Sequence, residues 1–192
     1  MQLEQSEYVI HMSLIYMLLE RGNLMSTRYK IIQKLISIGD DFWIENQDGK
    51  KVFKVDGKAL RLRETLLFED INGKELCKIQ QRLLAITDTM AIEGPNGEQL
   101  ALIKKALISP LRDRWSVNVS NGSNLDVQGD ILNHEYSIKQ DGQKIAEVSK
   151  KWFAFTDTYG VEIHEGQNDI LVLAIAIAID MMVHEEHEKK QK

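Results

Sequence analysis

The sequence predicts a mainly β fold, a closed antiparallel barrel of about twelve strands around a central hydrophobic C-terminal helix. Three observations predict it. A ten-residue pattern recurs six times, each copy starting 21 to 25 residues after the last. Asn-Gly or Asp-Gly follows five of the copies. Near the carboxyl end, Ile170 to Ile179 forms ten consecutive apolar residues.

The clearest copies are "ISIGDDFWIE" (36–45), "LRLRETLLFE" (60–69), "LAITDTMAIE" (84–93) and "FAFTDTYGVE" (153–162), with weaker ones at "SPLRDRWSVN" (109–118) and "DILNHEYSIK" (130–139). Alternating apolar positions are the mark of a half-buried strand, and the acid in the middle marks a bend. The turns are Asp48-Gly49, Asn72-Gly73, Asn96-Gly97, Asn121-Gly122 and Asp141-Gly142. These dipeptides supply the positive φ angles of tight hairpins. Four and six residues past the glycine stand Phe53/Val55, Cys77/Ile79, Ala101/Ile103 and Ala146/Val148. Each pair shares one strand face. Three of the four begin with a small residue, as a sheet lining an occupied interior requires. The copy after Gly122 has Asp126 and Gln128 there, which predicts an edge or irregular strand.

Two strands per copy give about twelve, and a sheet of that size must curl, split or close. A closed barrel this wide leaves an interior that wall side chains alone do not fill. The stretch "DILVLAIAIAIDMMVHE" (169–185) supplies the filling. It is too short for a transmembrane helix, which takes about 20 apolar residues, and Asp180 interrupts it. The Ala-Ile alternation at 174–179 also fits a strand, but the unbroken run to His187 favours a helix. Asn168 or Asp169 caps its start, and Lys189 and Lys190 suit its end. A helix apolar all round needs burial on every side.

The chain divides into an N-terminal extension over 1–24 with the character of a short helix, a barrel domain over 26–188 and a polar tail over 189–192. "YVIHMSLIYMLL" (8–19) is apolar, but its leader carries Glu4 and Glu7 without Lys or Arg, unlike a secretory signal. Met25 is a candidate alternative start.

The segments "RYKIIQKL", "VQGDILNHEYSI", "VSKKWFAFTDTYGVEI" and "DILVLAIAIAID" resemble the LURP-one-related family of the tubby carboxyl-terminal-like superfamily. The similarity covers about residues 26 to 187. It implies the same twelve-stranded barrel around a hydrophobic helix. The extension before Met25 departs from the family pattern. Tubby domains bind phosphoinositides and the related scramblases act at membranes, so the resemblance also implies a lipid-facing role.

Composition narrows the function. With a net charge of −5 the chain is no general nucleic-acid binder. One cysteine, Cys77, excludes an internal disulfide and fits a reducing, cytoplasmic setting. Charge is unevenly spread: residues 26–114 hold 16 Lys/Arg against 13 Asp/Glu, and residues 115–192 hold 7 against 13. The tail "HEEHE" (184–188) misses the four-residue His spacing of zincins and reads as a solvated helix end, although Asp180, His184 and His187 share a helical face. Asp40, Glu64, Asp88 and Asp157 occupy equivalent positions and share a turn-forming role rather than acid–base chemistry. Glu45, Glu69, Glu93 and Glu162 read as solvent-face residues. Trp43, between Phe42 and Ile44, points away from the core.

No nucleophile–base set, phosphate loop or cofactor motif appears, so the expectation is a non-catalytic barrel that needs no cofactor, with an enzyme using an unrevealed cleft as the alternative. The basic residues Lys104, Lys105, Arg112 and Arg114 are the candidate site for an anionic phospholipid head group, peripheral to the membrane. Lys150-Lys151, Arg61 and Arg63 are further cations. A small ligand or a protein partner is the other expected occupant.

Overall fold

The computed structural model of the chain describes residues 26–32, 41–57, 65–82, 89–105, 113–153 and 158–191. The extension 1–24 and the repeated acids Asp40, Glu64, Asp88 and Asp157 lie outside them, as do Arg61, Arg63 and Arg112.

Twelve strands follow one another along the chain. They are β1 (Ser26–Ile32), β2 (Phe42–Asn46), β3 (Lys51–Asp56), β4 (Thr65–Asp70), β5 (Glu75–Gln81) and β6 (Thr89–Glu93), then β7 (Gln99–Lys105), β8 (Asp113–Val119), β9 (Leu125–Asp130), β10 (Glu135–Gln140), β11 (Gln143–Ser149) and β12 (Thr158–His164). Each pairs antiparallel with its sequence neighbours, and β1 pairs with β12 to close the barrel. Closure removes the free edges that would otherwise template aggregation. The helix α1 (Asp169–Gln191) follows β12.

The repeat maps onto this order with one displacement. The first five copies each supply a strand before the turn and another after it. The sixth supplies β12 alone, and the chain then becomes α1. The missing strand comes from the other end of the domain, where Tyr29 and Ile31 of β1 point inward.

Because the strands alternate in direction, the Asn-Gly and Asp-Gly turns all lie at one end of the barrel, the hairpin end. The longer connections lie at the far end. Gly49, Gly73 and Gly97 take φ of +73, +79 and +81°. Each closes a turn in which its N–H bonds the carbonyl three residues back. Beside each turn the register shifts by one, at Ile44/Glu45, Phe68/Glu69 and Ile92/Glu93. This is the longer hairpin in which a type I turn is followed by a left-handed glycine and a bulge. Asn46 and Asp70 reinforce it, since the Oδ1 of each accepts from the N–H two and four residues on. At Asp141-Gly142 both φ angles are positive, +50 and +82°.

The fourth hairpin corrects a sequence expectation. β9 is neither an edge nor irregular, because it is paired on both sides with β8 and β10. The β8–β9 register has no bulge. Its inward residues are therefore Leu125 and Val127, one position earlier than in the other copies, and Asp126 and Gln128 face out. A one-residue change of register exchanges the two faces of a strand.

Along α1, every residue from Val172 to Ile179 is buried, together with Asp180, Met181 and Met182. The wall meets it with Ile44, Val55, Phe68, Cys77, Ile79, Ile92, Ala101, Ile103, Val117 and Val161, all fully buried. The helix packs closest to β5, β6, β7 and β12. Two of these strands carry the small inward residues Cys77 and Ala101, which leave room for it. Burial pushes the Cys77 thiol up to about 12, with the charge of Glu75 adding to it, so the thiol stays protonated and inert. Asn168 caps the helix: its Oδ1 accepts from the Leu171 N–H at 3.1 Å. Among the described residues no helix is long and apolar enough to cross a membrane.

Candidate functional site

Three of the four predicted cations fall on described residues, all at the far end. Lys104 of β7 stands opposite Ser116 of β8, so Arg114 is its diagonal neighbour on the outer face. Both are exposed. Arg114 reaches across to Asp126 at 3.3 Å, with more than half of each side chain exposed. Such a pair contributes at most about 1 kcal/mol and opens readily. Lys105 does not join them. It stands opposite Trp115, whose ring is fully buried, and its Nζ lies 5.6 Å from the ring centroid. The structure therefore brings two cations together on the outer wall and turns the third towards the barrel mouth. Lys151 belongs to a separate cluster, where Glu135 accepts from its Nζ at 3.1 Å, from the Lys150 N–H and from Ser149 Oγ.

The glutamates expected on the solvent face do lie on the outer wall, but each is engaged by a cation on a neighbouring strand or just beyond it. Glu45 pairs with Lys30 at 2.9 Å, Glu69 with Lys54 at 3.6 Å, Glu93 with Arg82 at 2.6 Å and Glu162 with Arg28. Partial burial alone would raise the Glu162 carboxyl, but the Arg28 guanidinium outweighs it and holds the group below its usual range. Trp43 points away from its neighbours Phe42 and Ile44, as expected. It is half-buried, with Lys51 Nζ 5.0 Å from its ring centroid.

The run "SKKWF" has a structural reason. Ser149 Oγ accepts from the Lys151 N–H at 3.1 Å, folding the chain back at the end of β11. Trp152 and Phe153 then lie on the outer wall over Gly160. A Cβ at Gly160 would sit 2.5 Å from Trp152 Cε3 and 2.8 Å from Phe153 Cε2. The glycine is needed for this close approach, since its own φ is ordinary. Arg28 stacks on the Trp152 ring, its Cζ 4.6 Å from the ring centroid. Between this flap and the β2–β3 turn runs a groove of about 370 Å³, lined by Arg28, Lys30, Asn46, Gln47, Trp152 and Phe153 among others. We expect Gly160→Ala to lower stability by about 1–3 kcal/mol, the usual cost of overpacking, measured by urea unfolding. An unchanged midpoint would show that the flap does not rest on this strand.

A second polar site lies inside the barrel, at the far end. Asp180 of α1 and His134, in the connection from β9 to β10, meet through Oδ1 and Nε2 at 2.8 Å, both buried. The His134 ring lies against Tyr159, with centroids 4.4 Å apart. Burial, with the negative charge of Asp180 second, pushes the phenols of Tyr136 and Tyr159 well above the ordinary tyrosine value. His134 holds a left-handed backbone, φ +53°, uncommon for a residue with a side chain. At the hairpin end Tyr29 donates to Asp169 Oδ2 at 2.5 Å. The inner cluster is absent from the sequence-derived site. Asp180, the one acid interrupting the apolar run, was its only signal; of the metal face suggested with it, the His187 side chain lies outside the described residues. Asp180 turns inward to His134 while His184 is exposed. Among the described residues no three His, Cys, Asp or Glu side chains are grouped to hold a metal ion.

Comparison with known proteins agrees with this architecture. The chain is 29% identical over 158 residues to the uncharacterized protein YxjI of Bacillus subtilis (strain 168), covering 82% of this chain and 94% of that one. Its fold matches the crystal structure of the Arabidopsis thaliana protein AT5G01750 with a TM-score of 0.62 at 13% identity, over 82% of this chain and 91% of that one. The LURP-one-related family model matches residues 27–180, from β1 through the buried Asp180, and the chain belongs to the LURP-one-related family.

Proposed function

We propose that the protein is a non-catalytic binding barrel that attaches to anionic phospholipid through the outer wall at its far end. The observation that carries this reading is the diagonal placement of Lys104 and Arg114 on the outer face of β7 and β8, both exposed. Among the described residues Arg114 is held by an exposed partner, Asp126, so a phosphate displaces it at little cost. Guanidinium and ammonium groups both bond phosphate oxygens, the guanidinium in a fork. The reading places the protein at the cytoplasmic leaflet, where anionic lipids concentrate.

Each basic residue near such a surface contributes about 1 kcal/mol. Attachment through two of them is weak, reversible and sensitive to salt. In co-sedimentation with phosphatidylserine vesicles, Lys104→Glu with Arg114→Glu should lower binding at least about 30-fold, as loss of about 2 kcal/mol requires. The circular dichroism spectrum should stay unchanged, since exposed substitutions shift stability by about 0.5 kcal/mol or less. Binding that survives the double change, or that ignores salt, sinks the proposal. The groove between Trp152 and the β2–β3 turn favours a second reading, a small ligand. Its volume falls within the range of about 300–1,000 Å³ typical of ligand sites. Wild-type protein that binds no vesicles would shift the choice to it.

A further inference from the structure

The cluster inside the far end contains more hydrogen-bonding capacity than the protein fills. Asp180 Oδ2, the Tyr159 hydroxyl and His134 Nδ1 are all buried, and none has a hydrogen-bond partner among the described residues. Buried polar groups in native proteins are satisfied by protein or by ordered water, so three in one place call for a cause. They are one neighbourhood. Asp180 bonds His134, the His134 ring lies on Tyr159, and the Asp180 charge acts on the Tyr159 phenol.

We infer that this cluster is a hydration site, in which an ordered water bridges the Tyr159 hydroxyl and Asp180 Oδ2. The chemistry selects water over other small occupants. Asp180 presents an acceptor, and Tyr159 presents a hydroxyl that donates or accepts. A bridging molecule must therefore donate to the carboxylate and bond the hydroxyl, as one water does with two to four polar partners. An anion would meet the Asp180 charge. A hard cation needs several oxygen ligands together, and among the described residues no three His, Cys, Asp or Glu side chains are grouped to hold one. An apolar occupant would leave all three groups unsatisfied. The bridge joins β12 to α1 and extends the His134–Asp180 contact into a network across the barrel interior.

Crystal structures of the wild type and Tyr159→Phe, at a resolution where ordered water is visible, test it together with their melting temperatures. The expected wild-type result is a density peak within about 2.6–3.0 Å of both Tyr159 Oη and Asp180 Oδ2. It should vanish or lose its place in Tyr159→Phe with the fold unchanged, and the variant should melt below the wild type. A dry gap, or a direct Tyr159–Asp180 hydrogen bond, overturns the inference. So does a variant that melts at or above the wild type, because the hydroxyl it lacks would then have had no partner to lose. A peak that disappears after chelation marks a metal ion and overturns it too. None of these outcomes depends on lipid binding.

Discussion

Ile175→Asp should abolish folding. Ile175 lies mid-helix, is fully buried and stands among seven other buried residues from Val172 to Ile179. Removing it from the core forfeits about 1.5–3 kcal/mol of side-chain burial. The aspartate adds a carboxylate within the buried apolar cluster, whose burial costs several kcal/mol more. The two losses together approach or exceed the whole stability of a typical domain, about 5–15 kcal/mol. No local repair is open to the chain, because the same helix turn is enclosed by wall on every side. The expected result is loss of the near-ultraviolet circular dichroism signal and of the cooperative melt. Ile175→Val, which removes one methylene from the same place, should cost only about 0.5–1.5 kcal/mol and fold normally. A soluble Ile175→Asp protein with unchanged melting would sink the central-helix architecture.

The barrel was legible in the sequence because its physics is repetitive. Alternation, turn dipeptides and, after three of the turn glycines, a small inward residue at a fixed distance all report on one hairpin unit, and that unit occurs five times. What escaped was non-repetitive. β1 closes the barrel from outside the repeat, although Tyr29 and Ile31 have the same alternation as any inward pair. The missing bulge in the β8–β9 hairpin shifts β9 by one residue; in "SNGSNLDVQ" the shift shows as Leu125 and Val127 one place early, which in the frame of the repeat reads as an irregular strand. The basic cluster was half legible: Lys104 and Arg114 share a face, but Lys105 follows the alternation inward to Trp115. The inner cluster depends on contacts between residues 134, 159 and 180, whose proximity no local pattern encodes. The packing of Trp152 on Gly160 was hidden for the same reason, although the "SKKWF…DTYGV" run contains both partners.

Asp180→Leu should cost about 3–5 kcal/mol, the second largest effect, because it strands a buried histidine without its partner. The reason for this acid lies in the helix itself. With Val172 to Ile179 buried on every side, α1 has no polar face to set its rotation or depth. Two contacts do so instead. Asp169 accepts from Tyr29 of β1 at the hairpin end, and Asp180 bonds His134 beside β10 at the far end. Eleven residues separate the two acids, three helical turns to within about 20°, so both leave the same side of the helix some 16 Å apart. β1 and β10 lie on one side of the barrel, separated by β12 and β11. The acids thus index the helix to that side, a specificity role for which buried polar groups are best attested. Asp180→Asn separates this role from simple charge pairing. The side-chain amide offers Nε2 an acceptor or a donor, whichever tautomer the ring holds, so the index survives and the loss should be clearly smaller than for leucine. Urea unfolding measures both costs, and hydrogen exchange along Val172–Ile179 reports whether the helix keeps one position. Leucine and asparagine variants with equal losses would reduce the contact to an ion pair. A leucine variant as stable and as protected as the wild type would remove the index altogether.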